Sequence, residues 1–318
     1  MYVLVTGGLG HIGSWVCYEL VHGGKSVIAT GRSWRRLNYL EALEDKIEFF
    51  AADVLDYASL CRLFKQYEGQ IEGIIHIAGL MGGPKFALNP QYHVRINTMG
   101  TLDVLEMARI FDIEKFVYVS SGSIYGPRDD VPAESDPISP GDLYGAAKAS
   151  AEFFGLQYAN EFGLDFRAAR VYFAYGPGRF PSELYPLYNA VFGPLEGRTK
   201  IKLDAGADQA VDFTYLRDIA HAMALIYGAP EVKYRQYNIS SGVYRKIPEL
   251  IDVVSRSAGV SVETDIGPGR IMPRGPSLDS TRLREELGFA PRYSFEEGVK
   301  EYAEWIKGTG GKKTYETD

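Results

Sequence analysis

The chain has 318 residues, enough for one large or two modest domains around a sizeable core. Hydrophobic residues make up 46% and charged residues 24%, a globular balance, and a formal net charge of -7 argues against broad binding to nucleic acid or anionic membranes. Cys17 and Cys61 offer neither a disulfide framework nor a metal spacing, and no stretch is apolar enough to span a bilayer, so a cytoplasmic protein is expected.

The first half alternates two patterns. Residues 3–6 form a short apolar run ending in glycines, which predicts a first strand, and 12–22 follow with helical apolar spacing. Further strands are predicted at 26–30, 47–51, 73–77, 116–120 and 166–171, with helical stretches between them, including 88–112 and 143–161. Short apolar strands alternating with helices imply an α/β fold with a doubly wound parallel sheet covered on both faces. After about Gly176 glycine and proline increase and the elements shorten. The expected division is a cofactor domain at 1–175 and a smaller C-terminal α/β substrate domain at 176–318, partly interleaved because 212–221 reads as a strand turning into a helix. The tail after Trp305 is polar and is expected to fray.

The first strand ends in Thr6-Gly7-Gly8-Leu9-Gly10-His11-Ile12-Gly13. Glycines permit a tight turn and a close backbone approach, and the helix that follows offers free N–H groups to an anion. Between a strand and a helix this predicts a Rossmann-type dinucleotide site. Strand two ends Ile28-Ala29-Thr30-Gly31-Arg32, without the acid that would hold a ribose 2′-hydroxyl. A guanidinium suits a 2′-phosphate, so Arg32 favours NADP over NAD; Arg35 and Arg36 also read as a solvated helix face. Asp53, followed by Val54, reads equally as an acceptor for the adenine amino group or as a helix N-cap.

Alcohol oxidation needs a base for the hydroxyl proton while hydride leaves. Tyr144 and Lys148 are four residues apart, on one helical face, where the ammonium favours the phenolate and should lower the phenol pKa. Ser121 closes strand five, at the sheet edge where ligands bind, and its hydroxyl can bridge the substrate oxygen and the phenol.

Together these segments resemble the extended short-chain dehydrogenase/reductase family, of the NAD(P)-dependent epimerase/dehydratase type. The glycine turn is similar to that family's TGGxGxIG. His76-Ile77-Ala78-Gly79 resembles its HxAG segment, and Asn97 with Gly100-Thr101 its NxxGT segment. Phe116 to Gly126 resembles its strand-five signature, Tyr175-Gly176-Pro177 its YGP turn, and Leu287-Gly288-Phe289-Ala290-Pro291 a late LGWxP segment. The resemblance implies Ser121, Tyr144 and Lys148 as catalytic residues. It implies Gly7, Gly10, His11, Ile12, Gly13, Ala78, Gly79 and Asn97 around the cofactor, and a homodimer through the two long helices.

Departures from the pattern narrow the expectation. Dehydratases of this type carry an acid pair after the catalytic hydroxyl, where this chain has Gly122 and Ser123, so dehydration is not expected. Nucleotide-sugar epimerases carry Asn where this chain has Phe173, and Arg where it has Val211. Arg270 or Arg274 are candidate phosphate contacts, and Met81, Lys85, Ser123 and Phe173 candidate substrate contacts. His93 reads as structural, and no His spacing suggests a metal. Two enzyme readings stand side by side: epimerisation of a sugar, possibly a nucleotide sugar, or net NADP-dependent oxidation or reduction of a smaller hydroxy or keto compound. A catalytically silent NADP-binding scaffold is the remote third, disfavoured because Ser121, Tyr144 and Lys148 are all present.

Overall fold

The computed structural model describes residues 1–33, 46–81 and 88–309. Seven parallel strands form its main sheet: β1 (Tyr2–Thr6), β2 (Ser26–Gly31), β3 (Ile47–Ala51), β4 (Ile71–His76), β5 (Lys115–Ser121), β6 (Asp165–Val171) and β11 (Gln236–Ile239), in the order β11-β6-β5-β4-β1-β2-β3. The chain order reverses at β1, which pairs with both β2 and β4, so the crevice for a ligand opens at the carboxyl ends of β1 and β4.

Strand periodicity explains why helices cover both faces. Val3, Val5, Val27, Ala29, Ile75 and Val117 point to one side, against α1 (His11–His22) and α6 (Leu216–Gly228). Leu4, Ile28, Ile74, Phe116 and Phe166 point to the other, against α2 (Tyr57–Gln66), α3 (Pro90–Ile110) and α4 (Leu143–Phe162). Val3, Leu4 and Val5 are all fully buried, each contributing roughly 1.5–3 kcal/mol. Helix α4 lies close to the sheet because Gly155 packs on Phe166, where an added Cβ would fall 2.0 Å from the ring.

β11 is a strand that the alternation of the first half did not predict. It pairs with β6, so the chain returns to the main sheet well after Gly176. The remaining C-terminal elements are short: α5 (Pro186–Phe192), α7 (Ile247–Ala258), α8 (Thr281–Leu287), and two-stranded pairings of β7 (Ala174–Tyr175) with β10 (Thr214–Tyr215), β8 (Lys200–Leu203) with β13 (Glu263–Ile266), and β9 (Ala210–Val211) with β12 (Arg245–Lys246). Their core is aromatic, with Tyr175, Phe192, Phe213 and Tyr302. Helix α9 (Phe295–Gly308) continues past Trp305, where fraying was expected, because Val299, Tyr302 and Ile306 anchor one of its faces. Among the described residues no helix is long and apolar enough to cross a membrane.

Candidate active site

The glycine turn joins β1 to α1 at the reversal point. Gly7 has φ +66°, and a Cβ there would lie 2.9 Å from the Ala78 nitrogen; a Cβ on Gly13 would lie 2.1 Å from the Gly7 carbonyl oxygen. The N-cap of α1 is Gly10, which has no side chain to cap the helix. The first-turn N–H groups at His11, Ile12 and Gly13 therefore remain available to an anion. A dinucleotide pyrophosphate fits this cradle. Thr6 closes its far side: its Oγ1 accepts from the nitrogens of Ile77 (3.1 Å) and Ala78 (3.2 Å) and lies 2.7 Å from His76 Nδ1. Asn97 holds the segment after β4, accepting from Leu80 N (3.0 Å) and donating to Leu80 O (2.8 Å). Gly79 next to it admits no Cβ, since Asn97 Oδ1 would be 2.6 Å away. His11 is turned toward the YGP segment, its Nε2 lying 3.1 Å from the Gly176 oxygen, and burial pushes its pKa down to about 3.

Arg32 is exposed just beyond β2, and its Nη1 donates to Tyr92 Oη at 3.4 Å. The N-cap alternative for Asp53 falls away. Asp56 caps α2, while Asp53 Oδ1 accepts from Leu55 N at 2.9 Å and closes a turn before the helix. Val54 packs in the core, its Cγ2 2.6 Å from where a Cβ on Gly100 would stand. Lys85 lies outside the described residues, as do Arg35 and Arg36; Met81 is described and about half exposed.

The hydroxyl-bearing residues converge at the carboxyl edge of β5. Ser121 Oγ lies 3.1 Å from Ser123 Oγ, accepts from Ser123 N at 3.1 Å, and is near enough to the Tyr144 phenol to act on its ionisation. Asp142 starts α4 as its N-cap, accepting from Gly145 N at 2.7 Å, and so fixes the first turn that carries Tyr144. Lys148 follows one turn later, 5% exposed, with its Nζ 4.4 Å from the centre of the Tyr118 ring. Burial pushes the Lys148 pKa down to about 7. It also raises the phenol of Tyr144 above its ordinary value, partly offset by the neighbouring Ser121 hydroxyl and the charge of Arg274. The expected downward shift of Tyr144 is therefore not met: removal from water outweighs the favourable contacts.

Arg274 was one of two alternatives for an anion contact. It pairs with Asp142 at 3.2 Å, and its charge also reaches Tyr172 and Tyr188. Arg270 pairs with Asp129 and donates to the backbone oxygen of Arg274, bracing that segment. Phe173 lies within a ring cluster, 4.7 Å from Tyr172, 5.6 Å from Phe213 and 6.0 Å from Tyr188 between centroids. Val211 is fully buried in the aromatic core. Among the described residues no group of three or more His, Cys, Asp and Glu side chains could hold a metal ion.

Sequence reasoning missed a buried polar group behind this row. Arg170 on β6 pairs with Glu152 on α4 at 2.6 Å, and Tyr125 and Asn238 extend the network. The signal was present, since Glu152 is four residues beyond Lys148, but its partner could not be read without the fold.

The model of the NAD dependent epimerase/dehydratase family matches residues 3–240. A UDP-glucose 4-epimerase of Mycolicibacterium smegmatis is 30% identical over 315 residues, 96% of this chain and 99% of that protein. The structure of a Thermus thermophilus UDP-glucose 4-epimerase complex with NAD matches with a TM-score of 0.84 and 26% identity, over 97% of this chain and 99% of the other. A dTDP-glucose 4,6-dehydratase of Streptomyces niveus is 28% identical over 335 residues, covering 96% of this chain and 93% of its own. That match corrects the expectation that dehydration is excluded. The exclusion rested on Gly122 and Ser123 alone, and two positions do not separate this chain from dehydratases that align along nearly its whole length.

Proposed function

Because the chain belongs to the NAD dependent epimerase/dehydratase family, we propose that it epimerises a secondary alcohol carbon of a sugar, with a nucleotide sugar such as UDP-glucose as the first substrate to try. The observation that carries this reading is the meeting of Ser121, Tyr144 and Lys148 at one sheet edge, beside the glycine cradle.

In this reading Gly7, Gly10, Gly13 and the first turn of α1 hold the pyrophosphate, with Ala78, Gly79 and Asn97 flanking the cofactor. When bound, the nicotinamide supplies a reversible acceptor for the hydride of the carbinol carbon. Tyr144 Oη takes the hydroxyl proton, Ser121 Oγ holds the same oxygen, and Lys148 binds the nicotinamide ribose and favours the phenolate. Arg274, beside Tyr144, meets an anionic substrate group, and Arg270 braces it. Phe173, Tyr188 and Phe213 wall off water while the keto sugar turns to present its other face. Residues 1–175 carry the cofactor and 176–318 the substrate, interleaved where α6 and β11 rejoin the sheet. Arg32 and the missing acid after β2 favour NADP over NAD. The free thiols of Cys17 and Cys61 suit the reducing cytoplasm.

A homodimer is part of the proposal. Met99 and Ile110 on α3, with Phe153, Phe154 and Phe162 on α4, are exposed large apolar side chains on two long helices that pack side by side. A second reading, net oxidation or reduction of a smaller hydroxy or keto compound, draws on Val211: buried and apolar, it offers no charge to a diphosphate.

The test is interconversion of UDP-glucose and UDP-galactose by the purified chain, with Tyr144→Phe alongside. The variant should lose at least ~100-fold in rate while retaining cofactor affinity. Activity kept at a tenth or more in the variant would remove Tyr144 as the base.

A further inference from the structure

Tyr144, Lys148 and Glu152 follow one another at four-residue intervals along α4, so they share one helical face. Glu152 is fully buried and Arg170, from β6, is 3% exposed. Their pairing is a fork: Arg170 Nη2 donates to Oε1 at 2.6 Å, and Nε to Oε1 at 3.1 Å and Oε2 at 3.3 Å. Arg170 Nη1 also donates to Tyr125 Oη (2.7 Å) and Glu134 O (3.2 Å), and Tyr125 Oη donates to Asn238 Oδ1 at 2.8 Å. A buried carboxylate requires such partners, and this guanidinium is fixed from several sides.

Four titratable groups surround Lys148. Tyr144 and Glu152 stand on its own helix, the Tyr118 ring faces it from β5, and His76, on β4, feels its charge. His76 Nδ1 and Nε2 lie 2.7 and 3.1 Å from the hydroxyls of Thr6 and Thr101, and burial with the charge of Lys148 pushes its pKa down to about 3. The imidazole is therefore neutral at working pH, Tyr118 and Tyr144 are phenols, and Glu152 is the anion of the set.

We propose that Glu152, oriented by Arg170, is a positioning residue that keeps the Lys148 ammonium charged and in line with Tyr144. Burial drives Lys148 toward its neutral form, and Glu152 acts in the opposite direction. Arg170 has two effects: it makes burial of the carboxylate tolerable, and it limits how strongly that carboxylate holds the lysine proton. The inference rests on the reading of Lys148 as the partner of Tyr144.

The test needs no turnover. NMR of nitrogen-15 lysine side chains, with the Lys148 signal assigned by its loss in Lys148→Met, gives the Lys148 titration midpoint in the full chain. Glu152→Gln should lower that midpoint by about one pH unit or more, as removal of a near opposite charge does. Arg170→Gln leaves the carboxylate uncompensated and should raise it. A purely structural role gives no reason for opposite signs. Should one variant fail to fold, the sign of the other decides. No movement, or movement of both in the same direction, overturns the proposal. Tyr144→Phe with full activity would instead remove the reading of the base and leave the midpoints as they are, so the two failures are distinguishable.

Discussion

Lys148 is the residue at which the site and the fold oppose each other. Its ammonium is charged in the unfolded chain up to a pKa of about 10.4, whereas burial holds the folded value at about 7. Between those values the unfolded chain binds more protons, so stability rises with pH across that window and the whole cost of burying the charge is present below it. Lys148→Met should therefore stabilise the protein at pH 6 by on the order of a few kcal/mol, and the gain should fade as pH approaches 10.4. Thermal unfolding at a series of pH values checks this, and a gain independent of pH would contradict it. At this scale the sequence is readable where function follows short spacing. Tyr144 and Lys148 are one helical turn apart, and Ser121 ends a strand. It is unreadable where a partner comes from far along the chain, as with Arg274 against Asp142 or Arg170 against Glu152. Asp53 shows the limit of local reading, because two aspartates precede α2 and the second of them, Asp56, is the cap.

Helices α3 and α4 carry the oligomer question. A monomer would leave Phe153 and Phe154 in water at 49% and 37% exposure, beside Met99 and Phe162. If the proposed homodimer forms through these helices, the wild-type chain should sediment as a dimer and the double variant Phe153→Glu/Phe154→Glu as a monomer in analytical ultracentrifugation, with far-ultraviolet circular dichroism retained. An unchanged dimer would place the interface elsewhere. The two helices were legible by their length and the first six strands as short apolar runs between turn signals. β11 was not: its four residues include Asn238, a polar side chain fully buried because the backbone oxygens of Pro132 and Asp279 accept from its amide. A buried polar residue inside a short strand gives no apolar pattern to recognise.

Across the whole molecule, the sheet positions the two halves of the chemistry. The reversal at β1 and β4 sets the glycine cradle at the carboxyl edge, and β5 with α4 brings Ser121, Tyr144 and Lys148 to the same edge. This half was readable because strand, glycine turn and helix form a local sequence pattern. The side proposed for the substrate was not, since Phe173, Tyr188 and Phe213 meet only through tertiary packing of short elements, as do Arg274 and Asp142. The epimerisation proposed above needs a dinucleotide that stays with the protein while hydride leaves and returns. It is tested by denaturing the purified protein and identifying the released nucleotide by mass spectrometry. About one NADP per chain is expected; release of NAD in that amount would correct the role of Arg32 alone. A folded protein that binds its cofactor only when it is added, and releases none, would rule out epimerisation by a retained cofactor and favour net oxidation or reduction.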